Sequence, residues 1–415
     1  MGHECLIYAD SPGALVELCG ISLIERLLRM LQRCGLTRAT VLSNTPDVLA
    51  EHLAAPSPHR EKVALDFRSG SLIDNWPNTA DNVLVLRGDS VFDSRLLQLL
   101  DDQNANAVLV DSAPPPNLEA LVARVRQTKG SRLCGGALLS HDWLKSHPGQ
   151  LEEALGEAIE EGDIVAIDVA SRDWYHASLR RQLHPSWFPA PAPEQRRIAE
   201  GLLLSATQKG SLDFPATVHG PIEDFLISRL WKTAITPNQL TVITNVVAWA
   251  ATFLFATGRL GWGTILALAV GILDGLDGKQ ARVKIETSKV GKLEHWFDAF
   301  FENSWWIALA YYFQNSGRLP SAFGYLALLI GAEAVAGLAK WSVLHSCGRT
   351  IDEIGHFNRV VRLVGGRRNI YIWIFALGIL FGIPDQAFKL MAYWAAVTTA
   401  VQVPRAAVAV RAHRK

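Results

Sequence analysis

Asp274-Gly-Leu-Asp277-Gly278-Lys-Gln-Ala281-Arg282, followed by Gly291, Glu294 and Asp298, is the stretch whose reading decides this chain. It sets carboxylates inside, or at the lip of, apolar helices. A carboxylate at a bilayer centre costs about 3 kcal/mol even on lenient scales, so residues placed this way are functional candidates by default. Asp274 and Asp277 stand three apart and share one helix face, while Glu294 and Asp298 stand four apart and share a face of the next helix. Brought together, the two faces make an all-oxygen pocket suited to Mg²⁺ or Mn²⁺. A polar helix cap beside a buried ion pair would explain one aspartate. It would not explain four acids at these spacings with Gly and Ala between them.

Composition changes along the 415 residues, a length that accommodates two or three domains. Before about residue 205 the chain reads as a soluble α/β protein; after about residue 238 long apolar runs rich in Trp, Phe, Ala and Leu dominate. The expected fold is therefore an α/β N-terminal domain of Rossmann-like type followed by an all-α polytopic membrane domain. Formal net charge is zero, which gives no electrostatic case for nucleic acid. The five cysteines, Cys5, Cys19, Cys34, Cys134 and Cys347, show no metal-ligand or disulfide spacing. No charged-then-apolar leader precedes the first strand pattern, so the soluble part is expected to stay in the cytoplasm.

About six apolar spans are expected, near 240–257, 263–278, 293–313, 320–344, 370–388 and 390–408. Lys279, Arg282, Lys284, Lys289 and Lys292 follow the second; Arg349, Arg359, Arg362, Arg367 and Arg368 follow the fourth; Arg405, Arg411, Arg414 and Lys415 end the chain. The opposite loops carry Arg259, Arg318 and Lys389. Positive residues mark the cytoplasmic side, so both termini and the acidic stretch are expected there, in the cell (inner) membrane. The four arginines between 359 and 368 suit a phosphorylated acceptor or an anionic headgroup as well as they suit plain anchoring.

Before the first span, residues 220–234 read as an interfacial amphipathic helix. Thr236-Pro237-Asn238-Gln239-Leu240-Thr241 follows, with Pro237 in a first helical turn after a capping Thr236. In the soluble half, Glu4–Tyr8, Ala39–Leu42 and Val83–Leu86 read as strands, and Ile21–Cys34 and Pro46–Leu53 as helices. That alternation argues a mostly parallel sheet covered on both faces. Gly88-Asp89 falls at a strand end, where such sheets carry ligand chemistry.

The acidic stretch resembles the signature of the CDP-alcohol phosphotransferases (CDP-alcohol phosphatidyltransferases): Asp, two residues, Asp-Gly, two residues, Ala-Arg, eight residues, Gly, three residues, Asp, three residues, Asp. Asp274, Asp277, Gly278, Ala281, Arg282 and Gly291 match it residue by residue. The family's last two acids would fall at positions 295 and 299, where this chain has His295 and Ala299. Glu294 and Asp298 lie one position earlier and keep the four-residue step, as if one residue had been deleted. Glu302 is the alternative if the register is shifted by a turn.

The resemblance implies transfer of a phosphoalcohol group from a CDP-alcohol, such as CDP-diacylglycerol, to a lipid or polar hydroxyl acceptor, with release of CMP. It implies Asp274, Asp277 and Glu294 as metal ligands and Asp298 as general base that also touches the second metal. Gly278, Ala281, Arg282 and Gly291 would border the nucleotide. Asn238 would either approach the nucleotide or serve only the helix start, and His295 would take part directly or support the acids. Family members resemble homodimers surrounded by membrane lipid. The competing reading is a non-catalytic membrane scaffold that presents the soluble domain.

The soluble half resembles, more by pattern than by motif, the nucleotidyltransferases that make sugar or inositol nucleotides. Their glycine-rich phosphate loop has its counterpart in Ala9-Asp10-Ser11-Pro12-Gly13-Ala14-Leu15. There Asp10 would repel phosphate, Pro12 removes a donor, and the loop Arg is missing. Asp89 matches a metal-binding position, and a later acid pair is partly echoed around Asp168 and Asp173. The implied domain is a degenerate cytidylyltransferase; a bifunctional enzyme that also transfers cytidylyl groups is the alternative. Fused to the membrane half, it resembles the bifunctional inositol-1-phosphate cytidylyltransferase/di-myo-inositol phosphate phosphate synthase arrangement. The expected division is a nucleotidyltransferase-like domain over 1–184, a proline-rich linker and connecting helix over 185–219, and the membrane domain over 220–415.

Overall fold

The computed structural model describes residues 4–9, 12–77, 82–210, 213–286 and 291–413, with only the backbone helix given for 291–299. Glu294, His295, Asp298 and the side of Gly291 thus lie outside the described side chains, as do Asp10, Ser11, Thr287 and Ser288 altogether. The chain divides into two compact units. One comprises Met1–His176, Gln182–Gln208 and Ala281–Thr287; the other comprises Ala177–Arg181, Lys209–Gln280 and Ser288–Lys415.

The first unit is built on an eight-stranded sheet. Its main strands are β1 (Glu4–Tyr8), β2 (Arg38–Leu42), β3 (Ala64–Arg68), β4 (Asn82–Arg87), β5 (Ala107–Asp111), β6 (Ser131–Ser140) and β7 (Val165–Asp168), in the order β7-β5-β6-β4-β1-β2-β3. All neighbours run parallel except β6, which is antiparallel to both β4 and β5. The sequence alternation predicts this sheet because its strands carry apolar residues toward both faces. Val83 and Val85 of β4 pack with Leu155 of α3 (Leu151–Glu161). Leu86 lies on the other face, where a side chain at Gly136 would meet both it and Leu100 of α2 (Ser94–Asp101).

Helix α1 (Leu23–Arg33) opens on Ser22, whose hydroxyl accepts from the Glu25 amide. Two arginines on it are buried. Arg26 donates to the Val283 carbonyl at 2.8 Å, and Arg29 donates to that of Lys284 at 2.9 Å. The stretch Pro185–Pro193, expected as a semi-rigid connector, is packed within this unit. Trp187 and Phe188 are fully buried, Phe188 pairs with Val91, and the Ala190 amide donates to the Asp89 carbonyl at 2.7 Å. Two large aromatics gain far more by burial than a solvated linker would retain.

The second unit is helical: α4 (Phe214–Leu230), α5 (Pro237–Ala256), α6 (Leu260–Val283), α7 (Gly291–Asn315), α8 (Ala322–Cys347), α9 (His356–Val364), α10 (Arg368–Leu380) and α11 (Pro384–His413). Its core is aromatic. Phe255, Trp305, Trp306, Phe313, Phe375 and Phe388 are buried together, and the Trp305 indole donates to the Ala248 carbonyl at 2.8 Å.

Among the described residues three helices, α5, α6 and α8, are long and apolar enough to cross a membrane, and α9 and α10, bent by 43°, add a fourth when counted as one broken span. Large apolar side chains stand uncovered around them, including Val246 (65% exposed), Trp341 (63%) and Leu380 (75%). A surface of this kind calls for lipid or a partner against it. The break expected near residue 389 falls instead at Phe381–Ile383, where Gly382 adopts φ +73° and Pro384 starts α11. A left-handed glycine ends one helix and a proline begins the next, a stronger signal than the change in hydropathy.

Candidate active site

Helix α6 carries the acidic motif, and the end of α5 that meets it is fixed by local chemistry. Thr236 caps α5: its hydroxyl accepts from the Gln239 amide at 3.3 Å, and the Gln239 side chain accepts from the Thr236 amide at 2.9 Å. This reciprocal box is the start that Pro237 and Thr236 predict. One turn further, Thr241 donates its hydroxyl to Asp277 Oδ2 at 2.7 Å, and the Gly278 amide donates to Asp277 Oδ1 at 2.5 Å. Asp277 is therefore held by donors on both oxygens while 5% exposed. Charge-assisted bonds of this kind are the strong ones and fix a carboxylate's direction.

Asp274 lies one turn before it on the same face. Its Oδ2 accepts from Arg368 Nη2 at 2.5 Å, and the Arg368 guanidinium lies over the Phe301 ring at 5.3 Å. Arg368, which the sequence offers for an anionic group, is thereby paired with a motif acid. Gly278 is half-buried beside Asp277, and Asn238 is exposed on the first turn of α5. Gln280 is fully buried and donates to the Ile235 carbonyl, tying α6 to the segment before α5. Ala281 and Arg282 begin the segment that belongs to the first unit, where Arg282 Nε donates to the Thr207 carbonyl at 3.0 Å.

Two carboxylates one helical turn apart supply hard oxygen donors, and to that extent the residues present fit a divalent cation. Among the described residues no group of three or more His, Cys, Asp or Glu is arranged to hold a metal ion; Glu294 and Asp298 are outside them.

Helix α4 brings a second set of charges to α6. The amphipathic helix expected over 220–234 begins earlier, at Phe214, because Asp213 caps it by accepting from the Ala216 amide at 3.0 Å. Phe214, Val218, Ile222 and Phe225 face outward and are exposed, as suits an interfacial helix. The inward face carries His219 and Glu223, both buried. Lys279 of α6, 2% exposed, bridges Glu223 at 3.0 Å and Asp224 at 2.6 Å. Burial pushes the Glu223 carboxyl above its ordinary range against the pull of Lys279. Thr241, Glu223 and Lys279 were missed by motif reasoning. The i,i+4 pair His219 and Glu223, polar residues on what would be the packed face of an amphipathic helix, was the available signal.

In the first unit, Asp89 at the end of β4 is engaged on both oxygens by Arg87, at 2.9 and 2.7 Å, and Arg87 also pairs with Glu152. Gly88 is required there, since a Cβ would stand 2.7 Å from that of Ala9. Asp168 accepts from the amide and hydroxyl of Ser112 at 3.0 and 2.6 Å. Asp111, fully buried, accepts from the Trp187 indole at 2.7 Å and has His184 Nε2 at 3.3 Å.

Residues 234–402 match the family model described as CDP-alcohol phosphatidyltransferase. The chain is 25% identical to "Bifunctional IPC transferase and DIPP synthase" of Rubrobacter xylanophilus, over 92% of this chain and 89% of that protein. It is 21% identical to the protein of the same description from Aquifex aeolicus, over 92% and 90%. Among solved structures, the inositol-1-phosphate CTP transferase of T. maritima is similar at 12% identity and TM-score 0.34, covering 48% of this chain and 96% of that one. The phosphatidylinositol phosphate synthase of Mycobacterium tuberculosis is similar at 17% identity and TM-score 0.35, covering 46% and 94%.

Proposed function

We propose how this chain, whose residues 234–402 belong to the CDP-alcohol phosphatidyltransferase family, carries out its reaction. It is a membrane CDP-alcohol phosphotransferase: a phosphoalcohol group passes from a CDP-alcohol to an alcohol acceptor, and CMP leaves. The observation that carries the site assignment is the acid face of α6, where Thr241 and the Gly278 amide orient Asp277 one turn from Asp274.

The acceptor oxygen forms a bond to the phosphorus of the transferred group as the bond from that phosphorus to the CMP oxygen breaks. Members of this family use divalent metals; bound Mg²⁺ or Mn²⁺, two in number, would neutralise the diphosphate and the charge that develops on CMP. Asp274, Asp277 and Glu294 are the proposed ligands. Asp298 is the proposed base, taking the proton that the acceptor hydroxyl loses as it attacks. Gly278, Ala281 and Gly291 lack the bulk that would hold a nucleotide off the helix. Arg282 and Asn238 are its proposed polar neighbours, and His295 supports the acids.

The proposed arrangement has six spans, carried by α5, α6, α7, α8, α10 and α11, in a homodimer in the cell membrane. The soluble part, the acidic site and both termini lie on the cytoplasmic side, following the loop charges. A nucleotidyltransferase-like domain over 1–184, a connecting segment over 185–219 and a membrane domain over 220–415 are the proposed functional divisions.

The test is CMP release from CDP-diacylglycerol by membranes carrying the full chain or its Asp274→Asn variant. Loss of release in the variant supports the reading; unchanged release overturns it.

A second reading is favoured by the reach of the curated relatives, which match along both units: the first unit also transfers cytidylyl groups. The pairing of Arg87 with Asp89 weighs against it, because a fixed guanidinium takes the place a cation would need. Pyrophosphate release from CTP and a phosphorylated alcohol by the Asp274→Asn chain decides between them.

A further inference from the structure

Helix α4 meets α6 at two glycines one turn apart, with a buried polar side chain over each. A Cβ on Gly271 would stand 3.0 Å from His219 Cε1, and one on Gly275 would stand 2.5 Å from Glu223 Oε1. His219 and Glu223 are themselves one turn apart, and 5% and 7% exposed. The row continues to Lys279, the next turn of α6, whose ammonium closes on Glu223 at 3.0 Å and Asp224 at 2.6 Å.

Residues 271, 275 and 279 form one stripe of α6, and the residue beside Gly275 is Asp274. Beside the two glycines stand Val270 and Asp274 on one side of the stripe and Ile272 and Leu276 on the other, whose side chains would not admit a neighbour so close. The two glycine seats are therefore matched by α4 at only one rotation of α6 about its axis. A glutamate tip is ordinarily free to swing away from a crowding methyl group. This one is enclosed and held by a buried ammonium, so it behaves as a fixed stop.

We propose that Glu223 is a positioning residue for phosphotransfer: seated on Gly275 and held by Lys279, it fixes the rotation of α6 and hence the direction in which Asp274 and Asp277 point. This rests on the acid face of α6 being the reacting site. The hydrogen bonds and ion pairs described for Glu223 run to Lys279 rather than to those acids, so it acts through the helix. A shift of an ångström at reacting groups is enough to cost about 100-fold in rate, so a stop of this kind is a strong lever.

The test is a double-substitution cycle on the full chain in detergent micelles, using Gly275→Ala, Glu223→Ala and both together. Three readouts are taken: CMP release from CDP-diacylglycerol with inositol 1-phosphate or glycerol 3-phosphate added as hydroxyl acceptor, Mn²⁺ binding to the metal-stripped protein followed by the electron paramagnetic resonance of free Mn²⁺, and the thermal midpoint. Gly275→Ala alone is expected to lower kcat at least tenfold with the donor KM within threefold, and to weaken Mn²⁺ binding. In the Glu223→Ala background the three atoms nearest the added methyl are gone, so the double variant should fall no more than threefold below Glu223→Ala on both readouts. Additive losses overturn the proposal, because the methyl would then act elsewhere than on Glu223. Loss of thermal stability with kcat and Mn²⁺ binding unchanged also overturns it, leaving a purely structural contact. Failure of the functional reading looks different: wild-type protein would release no CMP, while the Mn²⁺ cycle would still report on the contact.

Discussion

Arg368 and Asp274 form an ion pair at 2.5 Å, joining the first turn of α10 to the first acid of the motif. Arg368 is 14% exposed at its side chain, so the pair is only partly screened by solvent. A positive charge next to Asp274 competes with a divalent cation for the same carboxylate, and the pair is the latch that cation would have to displace.

Replacing Arg368 by Gln should therefore lower the Mg²⁺ or Mn²⁺ concentration at half-maximal CMP release, by about tenfold, equivalent to about 1.4 kcal/mol of competing interaction. Metal titration of CMP release checks this. Chelation with EDTA should abolish release in both forms, and added Mn²⁺ should restore it. An unchanged or higher midpoint in the variant would mean that Arg368 does not contest the site.

Thr241→Val keeps the shape of the side chain and deletes the donor to Asp277. Hydrogen bonds to charged groups contribute about 1.5–3 kcal/mol, so a fall in kcat/KM on the order of 10- to 100-fold is expected. Thr241→Ser should recover most of it, because the hydroxyl is what matters. Steady-state kinetics on the three proteins measure the effect.

Asp111 titrates with the stability of the first unit. Burial alone would raise its carboxyl, but the nearby His184 ring and the Trp187 indole bond outweigh burial and hold it below the ordinary range. A depressed folded-state value contributes stability that is complete above the unfolded value of about 3.9 and is lost as pH falls through the folded value. Tryptophan fluorescence of the full chain should show the first unit weakening below about pH 4. Asp111→Asn should be less stable at neutral pH and should show less of that acid dependence.

Gly88→Ala forces a methyl to 2.7 Å from Ala9 Cβ, where β1 and β4 end side by side. Neither neighbour is a long side chain that swings away, so overpacking should cost about 1–3 kcal/mol. Urea unfolding of the first unit should shift to lower midpoint with its slope unchanged.

Much of the fold was legible because its elements announce themselves locally. Val83 to Leu86 alternate between two covered faces of a sheet, Thr236-Pro237 starts a helix, and the apolar runs are too long for a soluble bundle. The break between the last two helices was misplaced, since hydropathy changes smoothly there while Gly382 and Pro384 change the backbone abruptly. The packing of Trp187 and Phe188 was not legible either. A run of prolines looks the same whether it floats or lies in a groove, and only the position of Asp111 and Val91 across the chain distinguishes the two.

The shared face of Asp274 and Asp277 was legible from the order of residues alone: the period of a helix puts both on one side whatever surrounds them. The partners of those acids were settled only by tertiary structure. Thr241 lies 36 positions from Asp277, and Arg368 lies 94 from Asp274. Glu223 reaches the motif helix only because Gly275 leaves room for it. Helical periodicity is a property of neighbours along the chain and can be read from it. Which distant side chain neutralises a buried charge depends on how helices pack, and that is decided by the whole fold's need to leave no charge alone in a medium that cannot solvate it.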